Sequence, residues 1–306
     1  MKVCVAQLAP AFLDRERGLA QVADAVSEAG RNGASLVAFG ETLVPAYPLW
    51  LSRTGGAAFN DARQKALHRR YLEQAVSMEH LEGVRTAARA AGVTVVLGIA
   101  ETSRTHSDTV YASRVVVSAE GAILSVHRKL RPTYEERLAW GPGDGAGLQV
   151  HEVGPFRMGA LNCWENWMPL ARAALYGQGE DLHVMLWPGS EGLTRDITPF
   201  VAREMRGYVL SASAVIRRRD LPPDLDVGEE ELGYDGGSCI AGPDGAWLLP
   251  PQVGEPGLFY ATLDRGRVLE ERQNFSVNGH YARPDVLRLV VNRRRSEPVE
   301  FEDESS

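Results

Sequence analysis

The chain has 306 residues, a formal net charge of −7 and a hydrophobic content of 44%. These ordinary globular values exclude a largely disordered chain, and the acidic balance disfavours a general attraction to nucleic acid or anionic membranes. Short basic runs at 217–219 and 293–295 are flanked by acidic residues, so we expect them to be solvated surface rather than sites for a polyanion.

The sequence also lacks the marks of a membrane or secreted protein. No apolar stretch reaches the roughly 18 residues that a membrane helix needs, and the first residues have the pattern of a strand. The three cysteines have no C-x-x-C spacing, which argues against a disulfide framework and against a zinc site. Cys4 and Cys239 lie in apolar surroundings that indicate packing roles. We therefore expect a soluble, cytoplasmic protein without a metal site.

The first half of the chain predicts a mixed α/β sheet, because a β-α-β opening is followed by a β-hairpin. The polar, glycine-containing segment 53–66 is expected to be a loop or lid. The predicted elements are strands at 2–8, 34–39, 93–100, 111–117 and 122–127, and helices at 15–31 and 67–91.

The second half continues the alternation of strands and helices. An acidic, proline-containing connection covers 217–234. We assign 1–291 to a single domain and 292–306 to a short charged tail, which we expect to be mobile from Glu297 onward. The predicted elements are strands that begin at 156 and 181 or cover 209–216, 238–241, 246–249 and 257–263, and helices at 198–208 and 264–272.

Cys163 lies where a predicted strand gives way to a helix. Asn166 is a plausible N-cap of that helix, and Pro169 suits its first turn. The free N–H groups and partial positive charge of a helix start favour a thiolate and can hold an oxyanion. Taken alone, the pattern also fits a buried structural cysteine.

Glu41 and Lys129 also follow predicted strands. Glu41 stands at the end of a buried strand and faces a loop rich in proline and aromatic residues, where the alternatives are a catalytic acid, a helix cap or a salt bridge. Because the carboxyl ends of strands in an α/β sheet share one rim, we expect both residues to lie near Cys163.

These three residue types together suit attack on an electrophilic carbon bonded to nitrogen. A cysteine nucleophile needs a base, and a group that stabilises the developing negative charge. None of the seven histidines has an evident catalytic context; His127 is the nearest, and its pattern favours a structural role. A buried glutamate with a raised pKa can serve as the base, and a lysine ammonium can stabilise the charge.

The three segments together resemble the carbon–nitrogen hydrolase (nitrilase) superfamily, and specifically its true nitrilase branch. They occur in the family's order, and the similarity covers nearly the whole chain. The matching residues are GETLVPAYP at 40–48, HRKLRPTYEER at 127–137, WGPGDG at 140–145, NCWENWMP at 162–169, LWPG at 186–189 and GHYARPD at 279–285.

The resemblance implies a role for each matching residue. Glu41 would be the base, Lys129 the transition-state stabiliser and Cys163 the nucleophile, while the backbone N–H of Trp164 would help to hold the oxyanion. Glu136 matches a further glutamate that orients the site, although Glu135 and Glu165 could be confused with it or be surface or ion-paired acids.

The resemblance also implies the architecture and the reaction. The fold would be a four-layer αββα sandwich, paired through its helices into a homodimer or a higher homo-oligomer. The activity would be hydrolysis of an organic nitrile to a carboxylic acid and ammonia, without a metal or an organic cofactor. An amidase of the same superfamily and a non-catalytic scaffold are the alternatives. Candidate substrate-wall residues are Tyr47, Trp50, Thr133, Tyr134, Trp164, Trp187 and Pro188, with Tyr134 and Trp187 preferred.

Overall fold

The computed structural model describes residues 1–103, 105, 108–296 and 299. Most of the tail that was predicted to be mobile, from Glu297 to Ser306, lies outside these residues. The strands are β1 (Lys2–Gln7), β2 (Leu36–Phe39), β3 (Thr94–Thr102), β4 (Val110–Val117), β5 (Ile123–Arg128), β6 (His151–Val153), β7 (Phe156–Asn162), β8 (Leu182–Trp187), β9 (Tyr208–Ser213), β10 (Gly236–Ala241), β11 (Trp247–Val253) and β12 (Gly257–Thr262).

The α-helices vary from one turn to almost five turns in length. They are α1 (Arg15–Arg31), α2 (Trp50–Arg53), α3 (Ala62–Glu73), α4 (Glu82–Ala91), α5 (Pro169–Tyr176), α6 (Glu191–Thr194), α7 (Ile197–Met205) and α8 (Arg265–Arg272). Two 3-10 turns, Tyr134–Leu138 and Cys163–Trp167, carry residues of the predicted site.

The described strands form two six-stranded sheets, and both are mixed as the sequence predicted. The first has the order β12-β1-β2-β3-β4-β5, and the second has the order β11-β10-β9-β8-β7-β6. Strands β1, β2 and β3 are parallel to one another, and so are β7, β8 and β9. Each sheet is completed by antiparallel neighbours, which include the predicted hairpin of β4 and β5.

The two sheets pack face to face and are covered by helices on their outer faces. Val5 on β1 and Val184 on β8 belong to one apolar core between the sheets, because alternate residues of a strand point to opposite faces. On the outer face of the first sheet, Val26 of α1 and Val84 of α4 pack against the strands. Val201 of α7 covers the second sheet. The predicted four-layer αββα sandwich is confirmed.

One predicted helix is two helices. The expected helix at 67–91 is divided into α3 and α4, and α3 starts at Ala62 inside the segment predicted to be a loop. Asp61 caps α3 by accepting a hydrogen bond from the N–H of Gln64. Between the helices the backbone N–H of Val76 donates to the carbonyl of Ala100 on β3, and this strand-like contact separates α3 from α4.

Arg295, in the described part of the C-terminal tail, packs against the sandwich. Arg295 forms an ion pair with Asp144 at 3.2 Å and donates to the carbonyl of Val126 at 3.0 Å. Only part of the basic run at 293–295 is therefore solvated as predicted. None of the helices within the described ranges is both long and apolar enough to cross a membrane.

Gly98 on β3 allows the turn that carries Glu41 to pass close to the sheet. A Cβ added at Gly98 would lie 2.6 Å from the backbone N of Thr42 and 2.8 Å from the Cα of Glu41. We expect Gly98→Ala to lower the free energy of unfolding by about 1–3 kcal/mol, as overpacking does, and to displace Glu41. Denaturant unfolding would measure the first effect.

Gly83→Ala is the matched control. Gly83 lies in α4, and an added Cβ would contact nothing within 4 Å. Alanine there should leave the protein as stable as the wild type or stabilise it by about 0.5–1 kcal/mol. Equal stability of the two variants would contradict a tight contact at Gly98.

Candidate active site

Glu41, Lys129 and Cys163 meet at a rim that both sheets share. Glu41 follows β2, and Lys129 follows β5 of the same sheet, whereas Cys163 follows β7 of the facing sheet. The sequence analysis expected the three residues at the rim of one sheet, and this was wrong because Cys163 follows a strand of the other sheet. The backbone N–H of Glu41 donates to the carbonyl of Trp187 at the end of β8, 3.0 Å away, and this bond joins the two sheets beside the site.

The ammonium of Lys129 lies between two carboxylates. Its Nζ is 2.9 Å from Oε1 of Glu41 and 2.7 Å from Oε2 of Glu136, and all three side chains are almost fully buried. Burial alone would lower the pKa of Lys129, but the acidic groups around it raise that pKa above its ordinary value. Lys129 is therefore a fixed positive charge at neutral pH.

Glu41 has the properties of a base. Burial raises the pKa of its carboxyl to about 8, and the charge of Lys129 opposes that rise. Its Oε2 has no hydrogen-bond partner among the described residues. A carboxylate with a free oxygen and a pKa near neutrality can accept a proton and return it.

Both carboxylate oxygens of Glu136 accept hydrogen bonds from neighbouring groups. Its Oε1 accepts from the hydroxyl of Tyr47 at 3.0 Å, and its Oε2 accepts from the backbone N–H of Thr133 at 2.6 Å and from Lys129. The bond from Thr133 starts the 3-10 turn at Tyr134–Leu138, so the turn itself fixes the carboxylate. Glu136 therefore orients Lys129 and Tyr47.

Cys163 is buried and begins the 3-10 turn that follows β7. Its φ of 47° lies in the left-handed region, which is costly for a residue other than glycine. Burial, and next the charge of Glu41, raise the pKa of its thiol well above the ordinary value, while Lys129 and the N–H of Trp164 oppose the rise. The raised pKa favours the neutral thiol in the resting site, whereas the sequence analysis expected the start of a helix to favour the thiolate.

Helix α5 starts six residues after Cys163, with Pro169 as its first residue and Met168 as its N-cap. Asn166 was predicted to cap this helix, but its side chain turns inward. Its Nδ2 donates to the carbonyl of Cys163 at 2.8 Å, and its Oδ1 is 2.8 Å from Nε2 of His183. These bonds hold the carbonyl of the nucleophile's own peptide.

Glu165 links the lysine segment to the cysteine segment. It accepts hydrogen bonds from the backbone N–H of Leu130 at 2.6 Å and from that of Asn162 at 2.9 Å, and Nε2 of His127 is 3.0 Å away. Although burial favours a neutral acid, His127 and the two N–H groups lower the pKa of this carboxyl below its usual value. Glu165 is thus an ionised structural acid, in keeping with the structural role predicted for His127.

A cavity of about 370 Å³ opens above Cys163. Four of the predicted wall residues line it, namely Tyr47, Thr133, Trp164 and Pro188. The sequence analysis did not place seven others in the wall, which are Glu135, Gly189, Ser190, Leu193, Leu232, Gly233 and Tyr234.

Three predicted wall residues lie elsewhere. Tyr134 is 81% exposed and does not line the cavity. Trp187 is fully buried behind the site, where its Nε1 donates to Oγ of Ser211 at 3.2 Å. Trp50 packs edge-on against Tyr71, with the ring centroids 5.0 Å apart.

Part of the wall comes from the acidic connection that precedes β10. Arg53 donates to the backbone carbonyls of Glu231 at 2.6 Å and Leu232 at 3.2 Å, and thereby holds Leu232, Gly233 and Tyr234 at the cavity. The contact is between segments almost 180 residues apart, so local sequence patterns gave no signal for it.

The side chains of Glu41, Glu136 and Cys163 are close enough to be tested as a metal site. One ligand atom from each lies within 4.8 Å of the others. The ammonium of Lys129, however, already lies within ion-pair distance of both carboxylates and repels a second cation. The donor set therefore does not fit a metal ion.

Comparison with known proteins gives three kinds of match. The family model described as carbon-nitrogen hydrolase matches residues 2–273. The protein named Nitrilase 2 from an unknown prokaryotic organism is 35% identical over 98% of this chain and 95% of its own. An aliphatic nitrilase of Rhodococcus rhodochrous is 32% identical (97% and 84% covered), and an arylacetonitrilase of Fusarium vanettenii is 32% identical (98% and 94%).

Among solved structures, an amidase from Nesterenkonia sp. superposes with a TM-score of 0.63 at 21% identity. The match covers 90% of this chain and 94% of the amidase. At this identity the likeness concerns the fold.

The pKa values of Glu41 and Cys163 predict how alkylation of Cys163 by iodoacetamide depends on pH. Because the thiol must pass its proton to Glu41, the rate should rise about tenfold per pH unit below about pH 8 and level off above it. Peptide mass spectrometry would follow Cys163 apart from the other cysteines. In Glu41→Gln the inflection near pH 8 should be lost. A rate that stays constant between about pH 6 and pH 9 would mean a preformed thiolate.

Proposed function

Since this chain belongs to the carbon–nitrogen hydrolase family, we propose that it is a nitrilase, which hydrolyses an organic nitrile to the carboxylic acid and ammonia. The resemblance stated from the sequence motifs is confirmed over nearly the whole chain. The observation that carries the function is that relatives sharing 31–35% identity across most of this chain are named nitrilases. The juxtaposition of Glu41, Lys129 and Cys163 supports the same chemistry.

The first half of the reaction forms a covalent intermediate. Glu41 takes the thiol proton, and the sulfur of Cys163 attacks the nitrile carbon while the nitrile nitrogen receives a proton from Glu41. The product is a thioimidate bound to the enzyme. A water molecule, deprotonated by Glu41, then adds to the same carbon and gives a tetrahedral intermediate.

The second half releases both products. Glu41 returns the proton of the first water to the nitrogen of the tetrahedral intermediate. The hydroxyl proton then passes to the departing nitrogen, which leaves as ammonia, and a thioester remains on Cys163. A second water, again activated by Glu41, hydrolyses the thioester to the acid and restores the thiol. In this proposal Lys129 and the backbone N–H of Trp164 stabilise the developing negative charge, which is supported by the fact that both lower the pKa of Cys163.

We also propose that the protein is a homodimer or a higher homo-oligomer. An exposed apolar face surrounds the start of α5, with Trp167, Met168 and Leu170 on it and Phe200 of α7 beside it. Contiguous exposed apolar side chains of this kind mark protein interfaces. A second copy of the chain would cover them, as the family resemblance implies.

A cytoplasmic location remains part of this proposal. Its support is chemical: a catalytic cysteine must stay reduced, and the reducing compartments of a cell keep thiols free.

Replacement of the nucleophile tests the mechanism. Cys163→Ala should abolish ammonia release from pentanenitrile, and Lys129→Met should lower kcat by about 100- to 1,000-fold, as the loss of an electrostatic stabiliser does. Cys239→Ala is the control, because Cys239 is buried on β10 against Thr198, outside the cavity lining, and its loss should leave turnover intact.

The same assay separates the nitrilase from the amidase. Wild-type protein should release ammonia from pentanenitrile faster than from pentanamide, with chromatography of the acid and amide products as the second readout. Ammonia release by Cys163→Ala would overturn the covalent mechanism, and faster turnover of the amide would make the protein an amidase.

The oligomer is tested by Leu170→Glu. Leu170 is 66% exposed on the proposed interface, and a carboxylate there should convert the wild-type oligomer to monomers because it would be buried without a partner. Light scattering after size-exclusion chromatography would give the mass. Leu269→Glu, at a similarly exposed leucine of α8, should keep the wild-type mass. A monomeric wild type would contradict the proposal.

A further inference from the structure

The lining of the substrate cavity is acidic and aromatic. Among its described residues are two glutamates and three aromatic side chains, and none is lysine, arginine or histidine. Lys129 lies beneath this lining, and its charge is matched by Glu41 and Glu136. A substrate therefore meets no free positive charge from the described residues of the cavity, but it does meet Glu135.

Glu135 differs from its neighbour Glu136 in having no hydrogen-bond or ion-pair partner among the described residues. Both carboxylates of this pair line the cavity, but the oxygens of Glu136 are saturated by Tyr47, Thr133 and Lys129. Glu135 is half-buried and forms no hydrogen bond or ion pair with any residue in the described ranges. A partly desolvated carboxylate without a donor is ready to bind a cation.

The aromatic residues of the cavity add to the same preference. The rings of Tyr47 and Tyr234 lie 5.6 Å apart and are tilted by 44°, and both line the cavity with the half-exposed Trp164. After burial, the charge of Glu135 is the next cause that raises the pKa of Tyr234, so its carboxylate lies near that phenol, while the charge of Arg53 opposes the rise. Arg53 is itself paired with Glu230 at 3.2 Å. Aromatic faces beside a carboxylate are a known environment for ammonium groups.

We propose that this enzyme selects small nitriles that carry an ammonium group, and that Glu135 is the residue that holds that group. Tyr47, Tyr234 and Trp164 surround the cation while the nitrile carbon lies at Cys163. A nitrile with a carboxylate is disfavoured, because its charge would face Glu135 without a neutralising partner. This inference rests on the proposed nitrilase function and names its substrate class.

The test compares three nitriles of similar size with different charges. They are 4-aminobutanenitrile, which is an ammonium ion at about pH 7, neutral pentanenitrile and anionic 4-cyanobutanoate. For the wild type we expect kcat/KM to decrease in that order, with the cationic nitrile above the anionic one by at least about 100-fold, since like charges at close range are strongly disfavoured. Ammonia release measures all three.

Glu135→Gln separates the charge of Glu135 from its size. The ratio of kcat/KM for 4-aminobutanenitrile to that for pentanenitrile should fall about tenfold, because a hydrogen bond to a charged group is lost. The ratio cancels any effect on the common chemistry. Glu120→Gln removes the same charge from an exposed turn and should leave the ratio at its wild-type value.

A second measurement uses the wild type alone. Because Glu135 is only half-buried, the preference for the cationic nitrile should weaken as the salt concentration rises. An unchanged ratio in Glu135→Gln, or a ratio that salt does not affect, overturns the inference while turnover of pentanenitrile upholds the nitrilase. Absence of turnover of all three nitriles overturns the proposed function as well.

Discussion

The site depends on one interaction, the ammonium of Lys129 held between the buried carboxylates of Glu41 and Glu136. Removing an ion from water costs several kcal/mol, and a close partner of opposite charge is needed to offset that cost. The end of β2, the end of β5 and the turn at Tyr134–Leu138 must therefore come together for any one of these charges to be buried. Burial of these charges therefore depends on the packing of three separate segments of the chain.

The three buried glutamates of the site, Glu41, Glu136 and Glu165, differ in the number of hydrogen-bond donors around them. Glu136 and Glu165 each accept from several donors and thereby fix the segments that carry Lys129 and Cys163. Glu41 keeps one oxygen without a hydrogen-bond partner among the described residues, and its pKa is raised. The residue type is the same in all three cases, so the surroundings of each carboxylate set its role.

Much of the fold and the catalytic centre could be predicted from sequence, because strand and helix periodicity and the three motifs are local signals. The errors arose where distant segments decide the outcome. The predicted helix at 67–91 is divided where Val76 forms a hydrogen bond to β3, and no pattern within 67–91 indicates this contact. Trp187 is the last residue of β8, whose residues are buried on both faces. The alternation of apolar and polar residues therefore gives no sign of the face on which Trp187 lies. Tyr234 lines the cavity because Arg53, distant in the sequence, holds the segment before it by a hydrogen bond to the carbonyl of Glu231.

The neutral resting thiol has a consequence for catalysis. If Cys163 were a thiolate before substrate arrives, the buried site would hold one more negative charge. Transfer of the proton from Cys163 to Glu41 instead moves a negative charge from one neighbour of Lys129 to another. The number of buried charges stays constant, so proton transfer requires no new desolvation. The ammonium can then stabilise the carboxylate, the thiolate and the tetrahedral intermediate in turn without moving far.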